Sequence, residues 1–158
     1  MNILFVCTGN TCRSSMAEGI LKSMLKEMKI EGINVSSAGI SAFEGEAANE
    51  KAIVTLNKKG IDIKNHRARQ LTRKIINESD LVLTMTESHK KTILNLFPEC
   101  TGKVYALKEY ACILSDDESA GENPDIADPY GFGCDVYEIT AAEIEKQLKK
   151  IIAHGGVK

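Results

Sequence analysis

The sequence predicts an α/β protein in three layers, with a four-stranded parallel sheet sandwiched between helices. Three observations carry that prediction. Short unbroken apolar runs read as strands covered on both faces, longer segments repeat apolar residues at helical spacing, and the two kinds alternate along the chain. Alternation of this sort requires right-handed crossovers, which lay helices on both faces of the sheet. At 158 residues the chain has the length of one ordinary domain, expected to span 1–158, and can bury enough apolar surface to fold without disulfides or metals.

The first strand is Ile3 to Val6, ending at a polar stretch. From Ser14 to Met28 apolar residues recur at Met16, Ile20, Leu21, Met24, Leu25 and Met28, a helical stripe. Gly32 breaks it before "INVSSAG" (33–39), the second strand, and "AANEKAIVTLNKKG" (47–60) is helical up to its stop at Gly60. Asp80 to Met85 forms the third strand, "ESHKKTILNLF" (87–97) a helix halted by Pro98, and Lys103 to Leu107 the fourth strand. Asp116 to Gly133 is a long acidic loop rich in Gly, Pro, Asp and Asn, followed by a last helix from Val136 to Ala153.

Composition narrows the function. Apolar residues make up 43% and charged residues 27%, and a net charge of -2 offers no general attraction to nucleic acid or to a membrane surface. No apolar stretch approaches the roughly 20 residues of a membrane span, and Met1 runs straight into an apolar strand with no basic leader, so a cytoplasmic protein is expected. The five cysteines are odd in number and scattered, with no CxxC pair and no Cys/His cluster; neither a disulfide framework, nor a metal, nor a cofactor is expected.

In parallel sheets ligands bind beyond the carboxyl ends of the strands, where "FVCTGNTCRSS" (5–15) must lie. A glycine and small polar residues at a helix start present unpaired N–H groups and the positive end of the helix dipole, a setting for an anion. The stretch lacks GxxxxGK[ST], so it is not a nucleotide triphosphate loop of that kind. It does have Cys7, five intervening residues, then Arg13 and Ser14. Wrapped around a phosphate, such a loop sets the Cys7 sulfur below phosphorus while the Arg13 guanidinium grips two oxygens in a fork. Amide dipoles, Arg13 and the Ser14 hydroxyl also favour a thiolate, making Cys7 nucleophilic. A lone cysteine at the end of a buried strand is ordinarily a packing residue. What separates Cys7 from that background is its position, with Gly9 and Asn10 inside the loop and Ser14 and Ser15 at the helix start.

"VCTGNTCRSSMAEG" resembles the phosphate loop of the low-molecular-weight protein tyrosine phosphatases, whose pattern is V-C-x-G-N-x-C-R-S-P. "SSAGIS", "GIDIKNHRARQLT", "LTMTESH" and "DIADPYG" resemble further segments of that family in the same order. The resemblance implies a flavodoxin-like phosphotyrosine protein phosphatase I fold. It also implies that Cys7 is a nucleophile forming a phosphocysteine, that Arg13 binds the phosphoryl oxygens, and that Asp128 is the general acid. Thr8, Gly9, Asn10, Thr11, Cys12 and Ser14 would surround the substrate, Phe43 and Tyr130 would form aromatic walls, and Asn10, Ser14, Ser37 and His66 would hold the loop open. The residues fit this chemistry: a leaving oxygen or nitrogen needs a proton, and a carboxylic acid can supply it and then activate water. Phosphorylated proteins are the implied partners, phosphate or other oxyanions would occupy the loop, and a monomer or weak dimer is expected.

Two departures bear on specificity. Ser15 replaces the usual proline at the first helical turn, leaving the anion-binding atoms alone. Thr11 stands where phosphotyrosine enzymes of the family mostly carry an aliphatic residue, and the motif CTGNTCR is that of the related bacterial protein arginine phosphatases. A threonine hydroxyl can accept a hydrogen bond from a guanidinium that an isoleucine would crowd and desolvate, which favours phosphoarginine over phosphotyrosine. Tyr130 can stack on a phenol ring or a guanidinium plane, and the corresponding residue of the phosphoarginine enzymes is often phenylalanine. In the family, the pair matching Cys7 and Cys12 can form a reversible disulfide that shields the nucleophile. Two other functions stay open. Arsenate reductases share the loop but relay a disulfide through two further cysteines near the third strand, where this chain has only Cys100. "TGNT" also resembles the phosphate loop of flavodoxins, although a flavin-binding module would have no tryptophan, only four tyrosines and four phenylalanines, and no task for Cys7 or Arg13.

Overall fold

The computed structural model describes residues 1–117 and 123–157; residues 118–122 of the acidic loop lie outside the described residues. Four parallel strands, β1 (Asn2–Cys7), β2 (Asn34–Gly39), β3 (Leu81–Thr84) and β4 (Val104–Ala106), form one sheet in the order β2-β1-β3-β4. β1 is therefore interior, with Cys7 opposite Gly39 of β2 and Val6 opposite Thr84 of β3.

Because side chains alternate across a strand, β1 feeds two cores. Ile3, Phe5 and Cys7 join one with Met16 and Leu21 of α1 (Arg13–Glu27), Leu56 of α2 (Glu50–Asn57), Ala111 of α5 (Leu107–Ser115) and Ile144 of α6 (Cys134–Ala153). Leu4 and Val6 join the other with Ile76 of α3 (Arg73–Glu78), Val82, and Ile93 of α4 (Glu87–Leu96). Both faces of the sheet are thereby covered, which is why its strands read as unbroken apolar runs. Each fully buried leucine or isoleucine contributes about 1.5–3 kcal/mol.

Polar side chains start three of the six helices α1–α6. Asn49 accepts from the Lys51 N–H (2.9 Å), Thr72 from Ile75 (3.3 Å) and Thr86 from His89 (3.1 Å). α1 differs: Cys12 at its N-cap position makes no capping hydrogen bond, and the leading amides of this helix face the loop after β1. β2 approaches that loop closely. A Cβ on Gly39 would lie 2.6 Å from the Thr8 carbonyl oxygen and 3.0 Å from the Asn10 nitrogen, so only glycine fits.

Two helices are absent from the sequence reading. α3 has six residues, too few to show a periodicity, and is set by its Thr72 cap. α5 begins where β4 ends, at Leu107, so the expected strand to Leu107 is shorter by one residue there; the Glu109 carboxylate reaches back to the Ala106 N–H (3.4 Å), and no glycine or proline marks the switch. α6 starts at Cys134 rather than Val136, with Gly133 at its N-cap. Among the described residues, no helix is long and apolar enough to cross a membrane.

Candidate active site

β1 delivers Cys7 to the carboxyl edge of the sheet, and residues 8–12 turn back into α1. The turn requires Asn10 at φ 59°, in the left-handed region that asparagine tolerates better than most residues. Asn10 is fully buried and every polar group of its side chain is used: Nδ2 donates to Ser14 Oγ (2.9 Å) and Oδ1 accepts from the Arg69 N–H (3.1 Å). Its carbonyl accepts from His66 Nε2 (2.7 Å).

Four further carbonyls of the loop and its ends are engaged by the surrounding chain. Those of Cys7, Thr8 and Thr11 accept from the N–H groups of Ile40 (3.0 Å), Ser41 (2.9 Å) and Asn49 (2.9 Å), and that of Cys12 accepts from Met16 N–H (3.0 Å) and Ser15 Oγ (2.8 Å). With the oxygens engaged outside the ring, its N–H groups are left to the concave side, a ready cradle for an anion.

Cys7, Arg13 and Ser14 are all buried around this cradle. Cys7 Sγ and Ser14 Oγ lie 2.9 Å apart; since Asn10 donates to that hydroxyl, the Ser14 hydrogen is free to point at sulfur and stabilise a thiolate. Arg13 Nη1 donates to the Ile126 carbonyl (3.0 Å), and Nη2 lies 3.5 Å from Asp128 Oδ2. The segment carrying Asp128 is itself docked: the Ile126 N–H donates to Met85 at the end of β3 (2.8 Å), and Lys51 Nζ donates to the Phe132 carbonyl (2.6 Å). Asp128 Oδ1 accepts from the Tyr130 N–H (3.1 Å), fixing the carboxyl at the mouth of a cavity of about 280 Å³. Cys7, Thr8, Gly9, Thr11, Cys12 and Arg13 form its floor and lower wall. Ser41, Phe43, Glu46, Asp128 and Tyr130 surround its opening. A larger cavity, about 450 Å³, lies behind the loop against Ser15, Lys22 and His66 and contains neither Cys7 nor Asp128.

Two neighbours tune the loop. Thr8 Oγ1 is 2.9 Å from Nε2 of His89, whose buried Nδ1 has no partner among the described residues. Burial, and after it the Arg13 charge, pulls the His89 pKa down to about 4, so the ring is neutral at pH 7. Cys12 Sγ lies 3.3 Å from the Tyr137 hydroxyl and 3.8 Å from Thr11 Oγ1. Burial pushes both the Cys12 thiol and the Tyr137 phenol up, keeping them protonated. Cys7 and Cys12 are both free thiols.

Thus the structure brings together the loop residues, Phe43, Asp128, Tyr130 and His66 around one cavity or its loop, whereas Ser37 is a step removed. The Ser37 hydroxyl donates to Glu18 of α1 (2.6 Å), and its carbonyl accepts from Arg69 Nε (2.9 Å); Arg69 in turn holds Asn10. Its contribution to the loop is indirect because β2 places its side chain against α1. His89, Arg69, Tyr137 and Glu46 were not among the expected residues. His89 was findable in principle, since in a parallel sheet the helix after the third strand starts at the same carboxyl edge as the loop after the first.

A thiol at the end of an interior parallel strand, ringed by amides and closed by a guanidinium and a carboxyl group, defines a cysteine-loop α/β phosphatase. Comparison with known proteins sharpens that class. Residues 2–155 match the family described as low molecular weight phosphotyrosine protein phosphatase. The protein-arginine-phosphatase of Bacillus subtilis (strain 168) is 39% identical over 151 residues, covering 96% of this chain and 94% of that protein. The probable low molecular weight protein-tyrosine-phosphatase EpsP of Ralstonia solanacearum is 38% identical over 144 residues, covering 91% and 88%. Among solved structures, the YwlE arginine phosphatase mutant with a phosphorylated active site serine superposes with a TM-score of 0.87 at 37% identity, covering 97% of this chain and 94% of that one. The chain belongs to the low-molecular-weight phosphotyrosine protein phosphatase family.

Proposed function

We propose that this protein phosphatase works through a phosphocysteine and prefers phosphoarginine to phosphotyrosine on proteins. The observation that carries the mechanism is the buried Cys7–Ser14 contact within reach of Arg13 and Asp128. The phosphoryl oxygens lie among the loop amides and the Arg13 fork, which spread the charge of the group in transfer. The Cys7 thiolate attacks phosphorus, forming the P–S bond as the P–N or P–O bond breaks, and the Asp128 carboxylic acid gives its proton to the leaving atom. A water then attacks phosphorus, Asp128 takes up its proton, the P–S bond breaks and the Cys7 thiolate returns with release of phosphate. The phosphorylated serine of the YwlE mutant supports covalent transfer at this position.

The preference rests on Thr11, which lines the same cavity as Cys7 and Arg13. A guanidinium N–H can donate to it, while a phenol ring gains nothing from it. Phosphate release from matched phosphoarginine and phosphotyrosine peptides tests this directly. A higher kcat/KM on phosphoarginine is expected, with vanadate inhibiting competitively; the reverse order assigns the enzyme to phosphotyrosine, and no turnover of either discards the proposal.

A further inference from the structure

Glu44 and Glu46 flank the turn at Gly45, two carboxylates with opposite employment. Glu44 Oε1 accepts from the Gln70 N–H (2.6 Å) and is spent on holding the turn to residue 70. Glu46 is fixed only through its backbone: its carbonyl accepts from Ala68 N–H (2.7 Å), its N–H donates to the Phe43 carbonyl (3.2 Å), and Ala47 bridges to Arg67. Its side chain is exposed, has no hydrogen bond or ion pair among the described residues, and lines the same cavity as Asp128 and Tyr130. A rigid backbone thus presents an unspent carboxylate to whatever enters.

Charge is layered along the cavity. The floor carries the Arg13 guanidinium and amide N–H groups, and the mouth carries Asp128 and Glu46. Asp128 is engaged by Arg13 (3.5 Å) and by proton transfer, which leaves Glu46 as the one uncommitted carboxyl group among the described lining residues. A substrate that matches this order has an anion deep and a cation rich in N–H donors shallow, as in a phosphorylated guanidinium. A phosphorylated phenol offers an apolar ring at the same depth and no donor for Glu46.

We infer that Glu46 is a specificity-determining residue that selects a guanidinium leaving group by pairing with its N–H face. The inference rests on the phosphoarginine reading above, and the test separates the two. In wild type, Glu46→Gln and Glu46→Lys, the ratio of kcat/KM on phosphoarginine to that on phosphotyrosine peptides is measured at low and high salt, together with inhibition by methylguanidinium. The ratio is expected to fall roughly fivefold in Glu46→Gln and further in Glu46→Lys, chiefly through KM, as for one partly exposed charge pair. The salt dependence of the ratio and the methylguanidinium inhibition should weaken in the same order. A wild-type ratio at or below one overturns the phosphoarginine reading itself. A high wild-type ratio that both variants keep overturns the role of Glu46 alone. The Glu46 side chain is exposed and unbonded, so the variants fold; matching melting temperatures verify it.

Discussion

In and beneath the floor of the cavity Cys7, Asn10, Arg13 and Ser14 are buried and tied to one another or to the surrounding chain, whereas at its opening Phe43 stands 79% exposed and Tyr130 70%. The floor is over-determined: Asn10 alone joins Ser14, Arg69 and His66. The rim is held by its backbone and, Asp128 apart, leaves the side chains of Phe43, Glu46 and Tyr130 exposed. That contrast separates two tasks. Transfer chemistry needs atoms fixed within a fraction of an ångström, while discrimination between leaving groups needs side chains that meet the substrate without altering the cradle.

The contrast yields ordered predictions. Substituting Cys7→Ser should bring phosphate release from every substrate to background; a retained rate within tenfold of wild type would break the division at its root. Asp128→Ala should slow poor leaving groups by about 10²–10⁴, with a smaller loss on 4-nitrophenyl phosphate, whose leaving group needs little protonation, as steady-state kinetics will show. Thr11→Ile lies where floor meets rim. It should shift the kcat/KM ratio from phosphoarginine toward phosphotyrosine by roughly tenfold, the scale of one hydrogen bond to a charged group; an unchanged ratio would confine selectivity to the rim.

A subtler effect concerns pH. The His89 pKa is depressed from 6.5 to about 4 in the folded protein, so the unfolded chain binds its proton first on acidification. The stability associated with the neutral ring is complete above pH 6.5 and drains away as pH falls toward 4. Urea midpoints measured across that window should drop more steeply for wild type than for His89→Gln, which does not titrate. The smallest expected signal is Cys12→Ser: basal turnover changes little, but thiol-reversible recovery from peroxide is lost if Cys12 closes a disulfide with Cys7. Equal recovery in the variant assigns Cys12 to packing against Tyr137.

Much of this was readable from the chain because the floor is nearly contiguous. Cys7, Asn10, Arg13 and Ser14 fall within eight positions at the end of a recognisable strand, and strand alternation gave the sheet. Asp128 entered through family resemblance, since an aspartate in an acidic turn ordinarily only shapes the turn. His89, Arg69, Tyr137 and Glu46 come from four distant segments that meet only once β1 lies between β2 and β3 and α6 crosses behind the loop. Such meetings leave no local spacing to detect. α5 was missed for a related reason: its first turn is secured by Glu109 reaching backward, not by a residue that announces a break.

The interior position of β1 also governs how the site comes apart. Its amides are clasped by a neighbour on either side and shielded by a core above and below. Hydrogen–deuterium exchange at Phe5 and Val6 should therefore proceed through global opening, while Tyr130 and Phe132 exchange through local fluctuation. Because Asp128 lies in the same segment as Tyr130, mild heat or denaturant would impair leaving-group protonation and substrate choice together, before it disturbs the cradle around Cys7.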